Sequence, residues 1–322
     1  MKLFALRCPV CSGADLIETD ERVSCRSCGR GFPVVDGIPL LLADLPRYLN
    51  EAAPYWLMRD DLSAGQEDML GGLLPAGSYF DVARQHLSSY ARDHYGAFDD
   101  QDSDEPLPGG AERILRTALA EIGSVAGPSL DIGCATGGIS LALAEMGNGP
   151  VIGLDMSAPL IRMAARTAVS GIARYGRRRA GTAYERREVA LPYRQRDKLR
   201  FVLGDALDMP FADASFGLIA ALNVIDCVAD PVRLVGEAVR LLARGGWLIA
   251  ATPFDWSPNV TPAEAWIGDR VVSAPPSDLP ELLSARQELV VRSLPDQIWQ
   301  VRLHNRAAVH YRVALTIAQR KA

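Results

Sequence analysis

The sequence predicts an α/β protein: a largely parallel sheet in its C-terminal two thirds, an antiparallel strand pair at one sheet edge, and a small cysteine-built module at the N-terminus. Three observations carry this reading. From residue 111 onward, short apolar strands alternate with helical patterns, which implies βαβ units. Two Cys-x-x-Cys pairs, separated by thirteen residues, occupy the first 28 positions. Two further strands, Glu288 to Ser293 and Val309 to Ala318, close the chain, the second alternating at Val313, Leu315 and Ile317.

At 322 residues and 48% hydrophobic content, the chain can bury one full-size core and a small accessory module. A net charge of −5 argues against a surface built as a whole for nucleic acid, because phosphate binding needs clustered Lys and Arg. No apolar run approaches the roughly 20 residues of a membrane-spanning helix, and Met1-Lys2-Leu3-Phe4 leads into a cysteine motif rather than a signal segment. A cytoplasmic protein is expected. Cys134 and Cys227 stand singly in apolar contexts and read as buried thiols rather than catalysts.

Residues 1–44 form the first expected unit. Cys8 and Cys11 with Cys25 and Cys28 make two knuckles whose four thiolates suit one tetrahedral zinc ion, which replaces the core that so short a segment lacks. A redox pair needs only one Cys-x-x-Cys and a thioredoxin-like pattern after it, and none follows. With every position taken by sulfur, such a metal is structural. The segment Phe32 to Leu42 then reads as a strand, an Asp-Gly turn and an apolar exit. These first 42 residues resemble the zinc-ribbon family typified by the small activating subunit of tRNA and protein methyltransferases, also found fused to bacterial methyltransferases.

Residues 45–110 read as a helical connector with helix-like pieces at Leu45 to Met58 and Tyr79 to Tyr95, followed by an acidic, Pro/Gly-rich linker from Asp99 to Gly110. Within it, Tyr90 to Gly96 is either a lid over a cofactor or a packed connecting helix. Residues 111–322 form the main domain. An amphipathic helix near Ala111 to Ile122 precedes strands at Ser129 to Ile132, Val151 to Leu154, Leu199 to Leu203, Phe216 to Ala221 and Gly246 to Ala251.

The chemistry gathers at the strand ends. Leu130-Asp131-Ile132-Gly133-Cys134-Ala135-Thr136-Gly137-Gly138 turns from strand to helix, where glycines admit a ligand to the backbone and the helix N-terminus offers N–H donors. Asp155 ends the next strand, 24 residues after Asp131, placed to accept ribose hydroxyls. Asp205 ends the third strand, and Asn223-Val224-Ile225-Asp226 ends the fourth. This ordered set resembles class I S-adenosylmethionine methyltransferases, with their Rossmann-like sheet, from about Ala111 to the C-terminus. The resemblance implies that Asp131, Gly133, Cys134, Ala135 and Gly137 line the methionine part of the cofactor. Asp155 would hold the ribose, Met156 would pack on adenine, Asp205 and Ala206 would read its edge, and Asn223 would complete the cofactor wall. Ala135 stands where that family usually has glycine.

A narrower resemblance follows. Asn223-Val224-Ile225-Asp226 and the run from Thr252-Pro253-Phe254-Asp255-Trp256 to Trp266-Ile267-Gly268 are similar to the methyltransferases that N-methylate 4-mercaptohistidine in ovothiol formation, with Phe254 and Asp269 as departures. It implies small-molecule N-methylation of an imidazole or another amino-acid-derived nucleophile. Asp226 and Asp255 are the expected catalytic carboxylates, orienting a ring N–H or an ammonium, and Asn223, Phe254, Trp256 and Trp266 are the expected substrate walls. Two other classes stand beside this one, an rRNA or tRNA base methyltransferase and a non-catalytic adenosylmethionine-binding protein. The RNA reading draws on the segment Arg162 to Arg200, with twelve basic residues against three acids. Its plainer reading is a solvated helix and loop, and neutralising Arg177-Arg178-Arg179 is expected to matter little for turnover. None of the four histidines is assigned a role.

Overall fold

The computed structural model describes residues 6–19, 22–35, 37–45, 47–48, 77, 79–102, 105–267 and 278–322. The expected helix from Leu45 to Met58 lies mostly outside them, as does Asp269.

Five parallel strands form the heart of the sheet: β5 (Ser129–Ile132), β6 (Val151–Asp155), β9 (Leu199–Leu203), β10 (Phe216–Leu222) and β11 (Leu242–Thr252). The long hairpin of β12 (Leu289–His304) and β13 (Ala307–Arg320) adds antiparallel to β11, giving the order β12-β13-β11-β10-β5-β6-β9. The Rossmann-like sheet with an antiparallel C-terminal pair is therefore present. The inner strands are legible because they are buried on both faces and read as unbroken apolar runs, as in Phe216–Leu222. The last two strands run farther than expected. A register irregularity between Leu294 and Gln297 lets the chain carry Pro295 through the strand without a ladder hydrogen bond.

The chain leaves β5 toward β6 and β9 on one side and returns to β10 and β11 on the other. The reversal opens a crevice at the C-terminal ends of β5 and β10, where open α/β sheets bind ligands. Two helices frame it, α1 (Tyr79–Tyr95) and α2 (Gly110–Ile122). α2 buries Ala111, Ile114, Leu115 and Ala118, the 3–4 spacing of an amphipathic face. Its first amides are held by Asp93 of α1, which accepts from Gly110 N (2.8 Å) and Ala111 N (3.3 Å) and also from Trp299 Nε1 (3.1 Å). Three crossover helices, α3 (Gly138–Met146), α4 (Ala158–Ser170) and α5 (Pro231–Leu241), pack on the sheet, and α6 (Leu279–Ser284) precedes β12.

The N-terminal module is a four-stranded antiparallel sheet, β1 (Leu16–Glu18), β2 (Arg22–Cys25), β3 (Gly31–Val35) and β4 (Ile38–Pro39). It caps the edge strand β9 through a parallel bridge of Leu40 to Leu203, with Leu41 N donating to Leu203 O at 3.0 Å. Leu6, Val23, Phe32 and Leu41 share one hydrophobic cluster with Leu130, Leu154 and Val202. An edge that would otherwise expose unpaired backbone groups is thus covered by the chain itself.

The basic segment 162–200 is not the helix and loop expected. After α4 it forms a hairpin, β7 (Ile172–Ala180) and β8 (Ala183–Ala190), laid against α1. Ala173, Tyr175 and Arg177 point inward at a period of two, so an arginine occupies a core position. Asp99 and Asp102 of the acidic stretch supply its counter-charge, while Asp100, Gln101 and Glu105 stay exposed. Asp102 accepts from Arg92 Nε at 2.7 Å and pairs with Arg177 Nη1 at 3.1 Å, while Asp99 accepts from Arg187 Nε at 2.8 Å. Glu185 pairs with both Arg177 and Arg179. Burial opposes the charge on Asp102, but the two guanidiniums hold its carboxyl below the usual carboxylate range. Arg178 anchors the hairpin to α1 through Gln85 Oε1 (2.7 Å) and Ser88 Oγ (2.8 Å). The arginine run therefore ties the hairpin to α1 and to the acidic stretch.

Replacing Asp102 by Ala leaves Arg92 and Arg177 buried without that carboxylate. Urea unfolding of Asp102→Ala is expected to show a loss of about 3–5 kcal/mol, far above the change for an exposed acid such as Asp296.

Candidate active site

A cavity of about 760 Å³ fills the crevice. Its floor is the turn after β5, where Gly133 (φ 73°), Ala135 (φ 46°) and Gly137 (φ 90°) are left-handed. Glycine is required at 133, because a Cβ there would lie 2.7 Å from Val224 Cγ2. Ala135 keeps the same backbone path at a cost of about 1–2 kcal/mol, which answers how the loop runs without the family's glycine.

The turn is held from two directions. Gly133 N and Cys134 N donate to Leu154 O at 2.8 and 3.0 Å, and Ala135 N donates to Asp155 Oδ2 at 2.8 Å. From above, His94 Nδ1 accepts from Gly138 N at 3.0 Å and contacts Thr136 Oγ1 at 2.7 Å, while Tyr95 OH donates to Thr136 O. The other carboxylate oxygen of Asp155 accepts from Ser157 N at 2.7 Å. Burial pushes the Asp155 carboxyl up, against the pull of these amides.

Asp131 lies beneath the turn, 2% exposed, and accepts from Ser140 Oγ at 2.6 Å. Burial first, then the neighbouring charge of Asp155, pushes its carboxyl up to about 7. Asp205 folds back to accept from Leu207 N at 2.8 Å. Met156 is half exposed, and its carbonyl accepts from Tyr48 OH at 2.7 Å, so the start of the connector after the N-terminal module reaches this end of the cavity, where Arg47 also lines the wall.

Asn223 sits at φ 55°, a left-handed position that asparagine tolerates, and its N–H donates to Ala251 O at 2.8 Å. Its Oδ1 is buried on the cavity wall with no hydrogen-bond partner. Behind it, Asp226 is 3% exposed and accepts from Asp255 N at 2.8 Å, and Asp255 Oδ2 accepts from Tyr311 OH at 2.8 Å. Burial first, and Asp255 among its charged neighbours, raise the Asp226 carboxyl.

The structure brings Asp131, Gly133, Cys134, Ala135, Asp155, Met156, Asp205, Ala206 and Asn223 onto one cavity. Gly137, Asp226, Phe254, Asp255, Trp256 and Trp266 do not line it. Gly137 is turned away, facing Ala164 and Phe201. The two tryptophans stack on each other at 6.3 Å and an 11° interplanar angle, and each indole N–H is spent on the loop's own backbone: Trp256 on Ile267 O at 2.9 Å, Trp266 on Thr261 O at 2.8 Å. They stiffen the loop that presents Asn259 and Val260 to the cavity.

Several wall residues carry no role in the sequence reading. His86, Tyr90 and His94 of α1 line the cavity at four-residue spacing, one helical stripe that was open to reading. Tyr90 to Tyr95 belong to α1, and Tyr90 and His94 line the cavity. Cys134 is buried as expected, whereas Cys227 is exposed on the wall, because the turn after β10 lifts it out of the core. His304 and His310 lie along the far hairpin, where His310 contacts Gln300 and His304 accepts from Arg306 N.

Residues 130–250, which hold the turn, Asp155, Asp205 and Asn223, match the methyltransferase domain family. The chain carries a methyltransferase domain at residues 130–250, somewhat more than a third of its length. It is 29% identical over 179 residues to methyltransferase GfsG of Streptomyces halstedii, an alignment covering 54% of this chain and 56% of that one. It is 29% identical over 120 residues to ajmaline N-methyltransferase of Rauvolfia serpentina, covering 37% and 34%. The solved N-methyltransferase NodS of Bradyrhizobium japonicum aligns over 74% of this chain and 99% of its own at 18% identity and a TM-score of 0.43. The chain spans about half the length, or less, of these curated relatives. No helix of the described residues is long and apolar enough to cross a membrane.

Asp131 yields a pH prediction for the methyltransferase domain. A carboxyl near 3.9 when unfolded and near 7 when folded binds more protons in the native state between those values. Its ionisation therefore removes stability as pH rises from about 4 to 7. Asp131→Asn lacks this step, so its stability relative to the parent is expected to increase with pH across that window in denaturant titrations.

Proposed function

We propose that the cavity binds S-adenosylmethionine with its amino-acid part under α1, against the 133–138 turn. Asp155 takes the ribose, Asp205 and Ala206 take the adenine edge, and Met156 packs on the ring. This order leaves the methyl directed toward Asn223 and Cys227. The sulfonium makes that methyl electrophilic, so the chain has chiefly to hold a nucleophile in line at about 3 to 3.5 Å.

The acceptor is a small molecule methylated on nitrogen, an imidazole or another amino-acid-derived amine. The observation that carries this reading is the chemistry of the acceptor end, which offers hydrogen-bond acceptors and acids. Asn223 Oδ1 lacks a partner, and Asp226 and Asp255 stand behind it. Although its surface is open to the cavity, the Cys227 thiol is raised to about 12 by partial desolvation among its neighbours and by the charges of Asp226 and Asp255. Tyr90 is raised by burial with Asp155 and Asp226 among its charged neighbours, and Tyr311 by burial with Asp255 and Asp226. Such a field favours N–H groups and cations over phosphate. Among the described wall residues the one guanidinium, Arg47, stands at the Met156 end. Neutral imidazole, with a pKa of about 6.5, attacks without a base. The similarity of the 223–230 and 252–268 segments to mercaptohistidine N-methyltransferases supports the same class. The arginines of β7 and β8, spent on Asp99, Asp102 and Glu185, support a fold role over an RNA grip.

We also infer that Cys8, Cys11, Cys25 and Cys28 hold a structural zinc ion. Their sulfurs all lie within 4.8 Å of one another, with Cys8 to Cys28 at 3.8 Å and Cys11 to Cys25 at 3.6 Å. A tetrahedron with Zn–S near 2.3 Å has edges of roughly 3.8 Å, whereas a disulfide brings sulfurs to about 2.05 Å. The ion would tie the two knuckles together and supply the module's missing core.

Asp226→Asn keeps an acceptor for Asp255 N but removes the charge. It is expected to lower turnover of an imidazole or amine acceptor at least about tenfold, with S-adenosylhomocysteine affinity within about threefold, less than ~1 kcal/mol. Radiolabelled methyl transfer across a panel of imidazoles, amines, phenols and RNA checks this; exclusive methylation of a hydroxyl or of RNA overturns it. For the metal, elemental analysis is expected to find about one zinc per chain, and Cys25→Ser to lose it and melt at lower temperature.

A further inference from the structure

His94 of α1 combines two constraints that fix what it can do. Its Nδ1 lies 3.0 Å from the Gly138 amide nitrogen, which is always a donor, so Nδ1 must present its lone pair. Thr136 Oγ1, at 2.7 Å from the same nitrogen, then acts as a second donor. A ring with Nδ1 unprotonated carries its hydrogen on Nε2. Protonating Nδ1 would set two N–H groups against each other, and burial also depresses the imidazole's basicity. The ring's position is fixed as tightly as its tautomer. A Cβ at Gly138 would lie 2.5 Å from His94 Cβ and 2.6 Å from Cγ, so only glycine at 138 lets the helix and the turn meet at this distance.

With Nδ1 committed to the turn, Nε2 is the ring nitrogen left for the cavity that His94 lines. A neutral, one-way donor held beside the first amides of α3 asks for an anionic or carbonyl acceptor. Asp131, on the same wall, asks for a cation. The pair matches the two ends of an amino acid.

We propose that His94 is a cofactor-binding residue whose Nε2–H donates to the α-carboxylate of the bound cofactor, with Gly138 and Thr136 setting the tautomer. This rests on the cofactor reading above. It assigns α1 a direct part in binding and explains why a helix outside the matched domain closes over the turn.

The test uses two ligands in calorimetric titrations of the full chain: S-adenosylhomocysteine, which has the carboxylate, and 5′-methylthioadenosine, which lacks the whole amino-acid part. His94→Asn keeps an acceptor near the Nδ1 position and deletes the Nε2 donor. It is expected to weaken S-adenosylhomocysteine at least about tenfold, ~1.4 kcal/mol, and to leave methylthioadenosine unchanged. His94→Gln restores a donor near the Nε2 position and is expected to recover part of the preference for the carboxylate ligand, which keeps the proposal open to refutation if the Asn variant folds poorly. Equal weakening of both ligands, or of neither, overturns it. If the parent binds methylthioadenosine as tightly as S-adenosylhomocysteine, the proposal fails while the cofactor reading stands; if the parent binds neither, the cofactor reading fails first.

Discussion

The structure depends on how the turn from Gly133 to Gly138 is held open. Left to itself, a turn with three left-handed residues, one of them alanine, would relax. It does not, because its polar groups are claimed from below by Leu154 O and Asp155 and from above by His94 and Tyr95. The same clamp leaves the face between them as a cavity rather than a packed core. Binding geometry and turn strain are therefore one arrangement, and the acid that ends β6 serves backbone support as well as any ligand.

That arrangement needs α1 in place, and α1 is held by charge as much as by apolar packing. Asp93 caps α2 and binds Trp299, Arg92 enters the Asp102 and Arg177 cluster, and Gln85 and Ser88 take Arg178 of the hairpin. Breaking a buried ion pair costs more than the pair contributes, since the remaining partner is left without compensation. The hairpin thus acts on the cavity at second hand, by fixing the helix that carries His86, Tyr90 and His94. At the sheet edge the cysteine module acts similarly, covering β9, and Tyr48 just after it bonds the Met156 carbonyl.

The sheet was legible because strands buried on both faces leave continuous apolar runs, with Asp131 next to last in β5, Asp155 ending β6 and Asp205 two residues past β9. The hairpin was not. Its inward face carries Arg177, neutralised by Asp102 some 75 positions earlier (177 − 102), and no local pattern announces so distant a partner. Trp256 and Trp266 stood out as an aromatic pair, but that they spend their N–H groups on their own loop depends on a fold of the backbone that composition does not encode. The stripe at 86, 90 and 94 was visible at helical spacing; that it faces the turn follows only from the docking of α1.

The central claim is that the space between the clamped turn and α1 is the cofactor site, with its acceptor end at Asn223. A crystal structure of the full chain with S-adenosylhomocysteine tests it most directly. The account predicts the ribose on Asp155, the amino-acid part between Asp131 and α1, and the sulfur facing Asn223 and Cys227 across a closed pocket. A ligand bound with its sulfur toward the β7–β8 hairpin, or one that displaces α1 to open a groove along the arginines, would contradict it.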